Sequence, residues 1–170
     1  IQLALSLGAH VTTTASAARH DWLRELGAAE CIDYRTADFT QVCAPFDAVL
    51  DSMGGETLLR SIAHTRRGGR VVSVGDLPTP EVASDYGKPW LAPVFWLISR
   101  KPRAAARKQG VAYRYWFMRE DGAQLAMLLG RIATGELKVR IEREFPLAQA
   151  AETLRLSETG RVQGKLVIRP

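Results

Sequence analysis

The sequence has 170 residues, a net charge of +5, and 46% apolar against 24% charged residues. That length allows one domain with a sizeable core, and the balance is ordinary for a soluble globular protein. No apolar run approaches the roughly 20 residues needed to span a bilayer; the longest, Trp90 to Ile98, contains Pro93.

The opening Ile1-Gln2-Leu3-Ala4-Leu5 carries no basic segment or initiating Met, so no signal peptide is expected there. Ile1 to Leu7 reads as the end of a helix whose first turns precede it, and Gly8 suits its C-terminal cap. His10 to Thr14 is β-branched and predicts a strand. Ser16 is placed to cap a helix over Ala17 to Leu26, ending at Gly27. Cys31 to Tyr34 predicts a short strand, Phe46 to Asp51 another, and Gly54-Gly55 opens a helix. The turn Gly68-Gly69 introduces a strand over Arg70 to Gly75. Strands alternating with helices imply parallel βαβ units, with strands apolar on both faces, as Ala48-Val49-Leu50 is.

Residues 77–109 carry Pro78, Pro80, Pro89 and Pro93 and predict an irregular excursion. Within it Trp90, Phe95, Trp96 and Leu97 are either satellite core or part of a lid. The basic group Arg100, Lys101, Arg103, Arg107 and Lys108 reads as a solvated helix face. Val111 to Met118 predicts an aromatic-rich strand, and Asp121 to Thr134 a helix with Leu125, Leu128, Leu129 and Ile132 on one face. A second helix over Ala148 to Glu158 and a strand over Gly164 to Ile168 close the chain.

A doubly wound nucleotide-binding sheet holds its ligand at the carboxyl ends of its strands. Its glycine-rich pyrophosphate turn has no counterpart in this sequence, and neither has its first strand. The end of the second strand separates the two nicotinamide dinucleotides, because an acid there accepts from ribose hydroxyls and opposes a 2′-phosphate. Here Thr14-Ala15-Ser16-Ala17-Ala18-Arg19 holds no acid. Ser16 and Arg19 can bind a phosphate; by residue type alone they read equally well as a cap and a surface side chain. Cys31 and Cys43 lack metal-ligand spacing and suit a reducing, cytoplasmic compartment.

Several segments fall in the order and spacing of one family. They are Leu3-Ala4-x-x-x-Gly8-Ala9-x-Val11, Thr14-Ala15-Ser16-x-x-Arg19, Leu23-x-x-Leu26-Gly27-Ala28 and Ile32-Asp33-Tyr34. Phe46-Asp47-x-Val49-x-Asp51-Ser52-x-Gly54-Gly55, Gly68 to Gly75 and Gly160-Arg161-x-x-Gly164-Lys165-Leu166-Val167 continue the series. The chain resembles the zinc-independent, zeta-crystallin-type quinone oxidoreductases among the medium-chain dehydrogenase/reductases. That resemblance implies a Rossmann-like NADP-binding domain over 1–143, and a segment 144–170 returning to a catalytic domain outside this chain. It implies that Arg19 (more often Lys in the family), Tyr34 and Ser16 hold the 2′-phosphate, although Tyr34 also reads as a plain aromatic at a strand end. Ser52 would lie by the cofactor, and Val74 and Gly75 would line the nicotinamide ribose. NADPH-dependent reduction of a quinone, enone or related carbonyl follows, with no metal ligand in this chain. A homodimer through strand 111–118 follows too. No catalytic side chain stands out, since hydride chemistry belongs to the cofactor. The alternatives are a methyltransferase-like adenosine-binding domain and a basic nucleic-acid-binding module.

Overall fold

The computed structural model describes residues 1–160 and 162–170; Arg161, part of the terminal motif, lies outside the described residues. The helices are α1 (Gln2–Ser6), α2 (His20–Glu25), α3 (Phe39–Val42), α4 (Gly55–Ala63), α5 (Val82–Asp85), α6 (Ala92–Ile98), α7 (Arg100–Gln109), α8 (Gly122–Ala133) and α9 (Ala150–Glu158). The strands are β1 (Thr12–Ala15), β2 (Glu30–Asp33), β3 (Phe46–Asp51), β4 (Thr65–Ser73), β5 (Ala112–Tyr115), β6 (Ile141–Pro146) and β7 (Lys165–Arg169). Among the described residues every strand pairing is parallel: β1 with β2, β3 with β4 and β4 with β5, and β6 with β7. Among the described residues the pair β1–β2 and the trio β3–β4–β5 are separate sheets. The chain forms two compact units, 38–120 and 1–37 with 121–170.

In the 38–120 unit, Leu58 and Ile62 of α4, Val71 of β4, Ala106 of α7 and Val111 form the buried core, with Val49, Ala105 and Tyr113 against them. The core lies on one side of the sheet. The expected cover on both faces of β3 is not met: Leu50 is 74% exposed. Gly68-Gly69 is a bulge inside β4, not a turn before it. Pairing jumps from Phe46↔Thr65 to Ala48↔Arg70, Gly68 has φ +80°, and a Cβ on Gly69 would lie 2.7 Å from the Asp47 carbonyl oxygen. An extra length of strand with a left-handed glycine is what a bulge requires.

The excursion over 77–109 is largely helical, which corrects the expected irregular run. Pro89 begins a 3₁₀ turn over Pro89–Leu91, and Pro93 sits in the first turn of α6. Proline has no N–H to lose in a first turn and starts helices there as readily as it ends them. Of the four large apolar groups, Phe95 alone is half-buried, its ring 6.2 Å from Tyr86, which lies 4.4 Å from Phe117. Trp90, Trp96 and Leu97 are exposed, so a satellite-core role fits Phe95 only. The strand expected over Val111 to Met118 is the shorter β5, at the edge of its sheet.

In the other unit, Asp121 caps α8 by accepting from the Gln124 N–H at 2.9 Å, as its position suggests. The expected apolar face of α8 is not buried: Leu125, Leu129 and Ile132 are exposed and Leu128 is half-buried. Strand β6 is a further difference. Its sequence Ile-Glu-Arg-Glu-Phe-Pro is polar, yet it pairs with β7 through the α9 crossover, a βαβ arrangement. The amide side chain of Gln2 donates to the Lys138 carbonyl at 3.0 Å and accepts from its N–H at 2.8 Å. Arg131 donates to the Ser6 hydroxyl at 3.2 Å.

Candidate cofactor site

The sequence-derived site residues fall into two groups, one in each unit. Ser16, Arg19 and Tyr34 follow β1 and β2, where Ala15 pairs with Asp33. Parallel pairing puts both carboxyl ends side by side, so Ser16 and Tyr34 leave neighbouring strands at the same edge. Ser16 occupies the N-cap position of the 3₁₀ turn Ala17–Arg19, but its hydroxyl makes no capping bond. The Ala17 N–H donates instead to Asp33 Oδ2 at 3.3 Å, and the Arg35 N–H donates to Asp33 Oδ1 at 3.0 Å. Asp33 therefore joins the two turns. Sequence order concealed this acid, which reaches the end of β1 from the adjacent strand.

Arg19 does not stand free at this edge. Its Nη2 donates to the Gly160 carbonyl at 2.9 Å, just past the end of α9. A cation suits the negative end of a helix. Tyr34 is 61% exposed, and the Arg35 guanidinium carbon lies 5.7 Å from its ring centre. The resemblance named the tyrosine and passed over the arginine beside it.

In the 38–120 unit, Ser52, Val74 and Gly75 come together at the carboxyl ends of β3 and β4. The Val74 N–H donates to the Asp51 carbonyl at 2.8 Å. A Cβ on Gly75 would lie 2.3 Å from the Ser52 carbonyl oxygen, and one on Gly54 would lie 2.5 Å from the Gly75 carbonyl oxygen. Only a backbone without side chains fits that approach. Asp51, 4% exposed, holds it from below: its Oδ2 accepts from the Gly54 N–H at 2.9 Å and from the Ser73 hydroxyl at 2.8 Å. The acid closing an apolar strand was the available signal for this network.

Tyr113 on β5 lies behind these strand ends. Its hydroxyl is buried and meets no hydrogen-bond partner among the described residues. Burial pushes the phenol well above its ordinary value of 10.0, and the Asp76 and Asp51 carboxylates add to the effect. The neutral phenol is the folded form. Stability linked to it is complete below pH about 10 and is lost as pH rises beyond that.

A pocket of about 150 Å³ is lined by Gly55, Glu56, Leu59, Asp76 and Lys101 among others. That is below the usual 300–1,000 Å³ of drug-sized ligands. Lys101 and Glu56 pair across it at 2.8 Å, and the hydrogen bond from Lys101 lowers the Glu56 carboxyl.

Parallel strands with helical crossovers, and glycines where the ends of β3 and β4 pack backbone to backbone, define a Rossmann-like cofactor-binding domain. The sequence model of the family described as zinc-binding dehydrogenase matches residues 26–168. The chain belongs to that family, the medium-chain dehydrogenase/reductases. It is 31% identical to the quinone oxidoreductase from Coxiella burnetii, whose structure superposes with a TM-score of 0.78, over 100% of this chain and 48% of that one. It is 29% identical to the mouse (Mus musculus) mitochondrial NAD(P)H oxidoreductase RTN4IP1, over 99% of this chain and 43% of the relative. It is 31% identical to the trans-enoyl reductase pgmF of Aspergillus terreus, over 99% and 47%. The chain thus spans about half the length of these relatives. These three relatives are named as oxidoreductases or reductases, and neither the methyltransferase-like nor the nucleic-acid-binding reading is favoured.

The family description names zinc. Among the described residues no three His, Cys, Asp or Glu side chains are grouped to hold a metal. His20 Nε2 lies 3.1 Å from the Ala15 carbonyl and His64 Nε2 lies 2.9 Å from that of Cys43. The residues present do not fit a zinc site, and no step below uses one. Among the described residues no helix is long and apolar enough to cross a membrane.

Proposed function

We propose that this chain is the cofactor-binding part of an NADPH-dependent reductase acting on quinones, enones or related activated carbonyls. The observation carrying this reading is the edge formed by the carboxyl ends of β1 and β2, with Ser16, Tyr34, Arg19 and Arg35 around it. These residues would hold the adenosine 2′-phosphate, and a hydroxyl with a guanidinium suits that group. Ser52, Val74 and Gly75 would line the nicotinamide ribose, where the bare Gly54–Gly75 approach allows close backbone contact. The bound cofactor supplies the hydride; the chain supplies position and an ordered wall.

A second reading has one observation in its favour. Asp33 stands at the same edge, and a carboxylate there could accept from ribose hydroxyls in an NAD enzyme. Its two oxygens each accept one amide N–H, from Ala17 and Arg35; the NADPH reading rests on the hydroxyls and guanidinium groups gathered at the same edge. The deciding experiment is a screen of the full-length protein against quinones and enones with each cofactor. NADPH should be oxidised with a kcat/KM at least about tenfold that of NADH, roughly one charge-assisted hydrogen bond. Equal use of both cofactors removes the NADP assignment, and inactivity towards every acceptor removes the substrate class.

The same reading makes the full-length protein a homodimer joined at β5, which has a partner strand on one side only. Trp116 and Met118, just beyond it, are 50% and 80% exposed, and an open apolar edge invites pairing. Sedimentation at micromolar concentration should give a dimer, and a monomer counts against the interface. The half-buried thiols Cys31 and Cys43 suit a reducing compartment such as the cytoplasm.

A further inference from the structure

We propose that the α6–α7 segment seats this protein on an anionic membrane surface, with its apolar side chains at the lipid headgroup boundary and its cations among the phosphates. The inference does not draw on the cofactor reading above. It starts from charge. From Tyr86 to Arg119 the sequence holds eight Lys or Arg and no Asp or Glu, so 34 residues carry +8 in a chain whose net charge is +5. The same stretch holds three of the four tryptophans, Trp90, Trp96 and Trp116. Two of its cations are answered by acids outside it, Lys101 by Glu56 and Arg119 by Asp85. Arg100, Arg107 and Lys108 are exposed and enter no ion pair among the described residues.

The two helices sort these side chains. Phe95, Ser99, Pro102 and Ala106 recur at helical spacing and are half-buried or buried, so they mark the inward stripe. Ser99 joins the helices: its hydroxyl donates to the Phe95 carbonyl at 2.5 Å, and its carbonyl accepts from the Arg103 N–H at 3.3 Å. Outside lie Trp90, Val94, Trp96 and Leu97, each 52–70% exposed. Helix α6 itself carries no charge. The Arg103 guanidinium carbon lies 5.9 Å from the Trp96 ring centre, so cation and aromatic are held side by side. A helix of this length spans about 10 Å, which lets α6 lie along a bilayer but not cross it. An interfacial helix sinks its apolar side about 5–10 Å into the headgroup boundary and keeps its Lys and Arg outside. Tryptophan is at home at that depth, apolar in its body and polar at its N–H. Nucleic acid would answer the cations and leave Val94 and Leu97 in water. A neutral apolar partner would cover those two and leave the cations unanswered. An anionic lipid surface answers both.

The test is co-sedimentation of the full-length protein with phosphatidylcholine vesicles, with and without phosphatidylserine. Wild type should bind the anionic vesicles at least about tenfold more tightly than the neutral ones, with a blue shift of its tryptophan fluorescence. Arg107→Glu combined with Lys108→Glu should weaken binding to the anionic vesicles by about tenfold or more. Trp90→Ser combined with Leu97→Ser should weaken it too and reduce the blue shift. All four side chains are exposed, so neither pair of changes should move the unfolding midpoint. Failure of wild type to bind the anionic vesicles, or equal binding to the neutral ones, overturns the inference. Retention on duplex DNA without any response to vesicles overturns it as well, and makes the surface a nucleic-acid one. Unaltered vesicle binding by either double variant does the same, since the proposal needs both the cations and the apolar face. None of these readouts depends on cofactor or substrate, so this proposal and the reductase reading fail separately.

Discussion

Replacing Gly75 by alanine should cost the fold about 3 kcal/mol, while the same change at Gly55 should cost about 1 kcal/mol. Gly55 has φ +56° and open space around the position of a Cβ. Alanine there would meet only the backbone penalty of a left-handed conformation. At Gly75 the new carbon would be 2.3 Å from the Ser52 carbonyl oxygen, 2.5 Å from its carbon and 3.1 Å from the Met53 nitrogen. All three are main-chain atoms, so no side chain can swing aside. The strand ends must part, and the surface proposed to meet the nicotinamide ribose parts with them. Urea unfolding of the full-length protein measures both changes. Equal losses at Gly55 and Gly75 would show that the approach of β3 and β4 is looser than described.

Asp51→Ala is expected to be the more damaging change, at about 3–5 kcal/mol, since it removes two hydrogen bonds to a buried charged acceptor. The Gly54 N–H and the Ser73 hydroxyl would both be left inside without that oxygen. Asp51→Asn separates charge from geometry. Both donors use the same carboxylate oxygen, so an amide carbonyl can accept both and only the charge assistance is lost. Asparagine should therefore lose about half as much as alanine in the same unfolding experiment. If the two variants are equally unstable, the network depends on charge itself and not on where one oxygen sits.

How much of this was legible in the sequence depended on how local the cause was. Strand Phe46–Asp51 matches its expected limits, because a short apolar run closed by a turn has few alternatives. The cap at Asp121 is likewise a short-range signal. Strand β6 was missed, because Ile141–Pro146 alternates charges and ends in proline; only its partner β7 shows it to be a strand. The helices of 82–98 were missed because proline marks a helix start and a helix end equally well, whereas the basic face of Arg100 to Lys108 does lie on a helix, α7. At the candidate site, residue types pointed to Ser16 and Arg19, and the family resemblance added Tyr34. The bond from Arg19 to Gly160 spans 141 residues of sequence and has no signature in either segment. Asp33 reaches Ala17 across a strand pairing, which a linear reading cannot register.

The division of the chain also sets an order in time. Residues 38–120 form one uninterrupted unit. When synthesis passes Glu120, every residue that unit needs has already been made. The other unit joins residues 1–37 to 121–170, so its 1–37 segment, made before 38–120, must wait for 121–170. Domains made early fold while later ones are still emerging. The ties from Gln2 to Lys138 and from Arg19 to Gly160 can form only after residues 138 and 160 have been made, well after β1 and β2 have emerged.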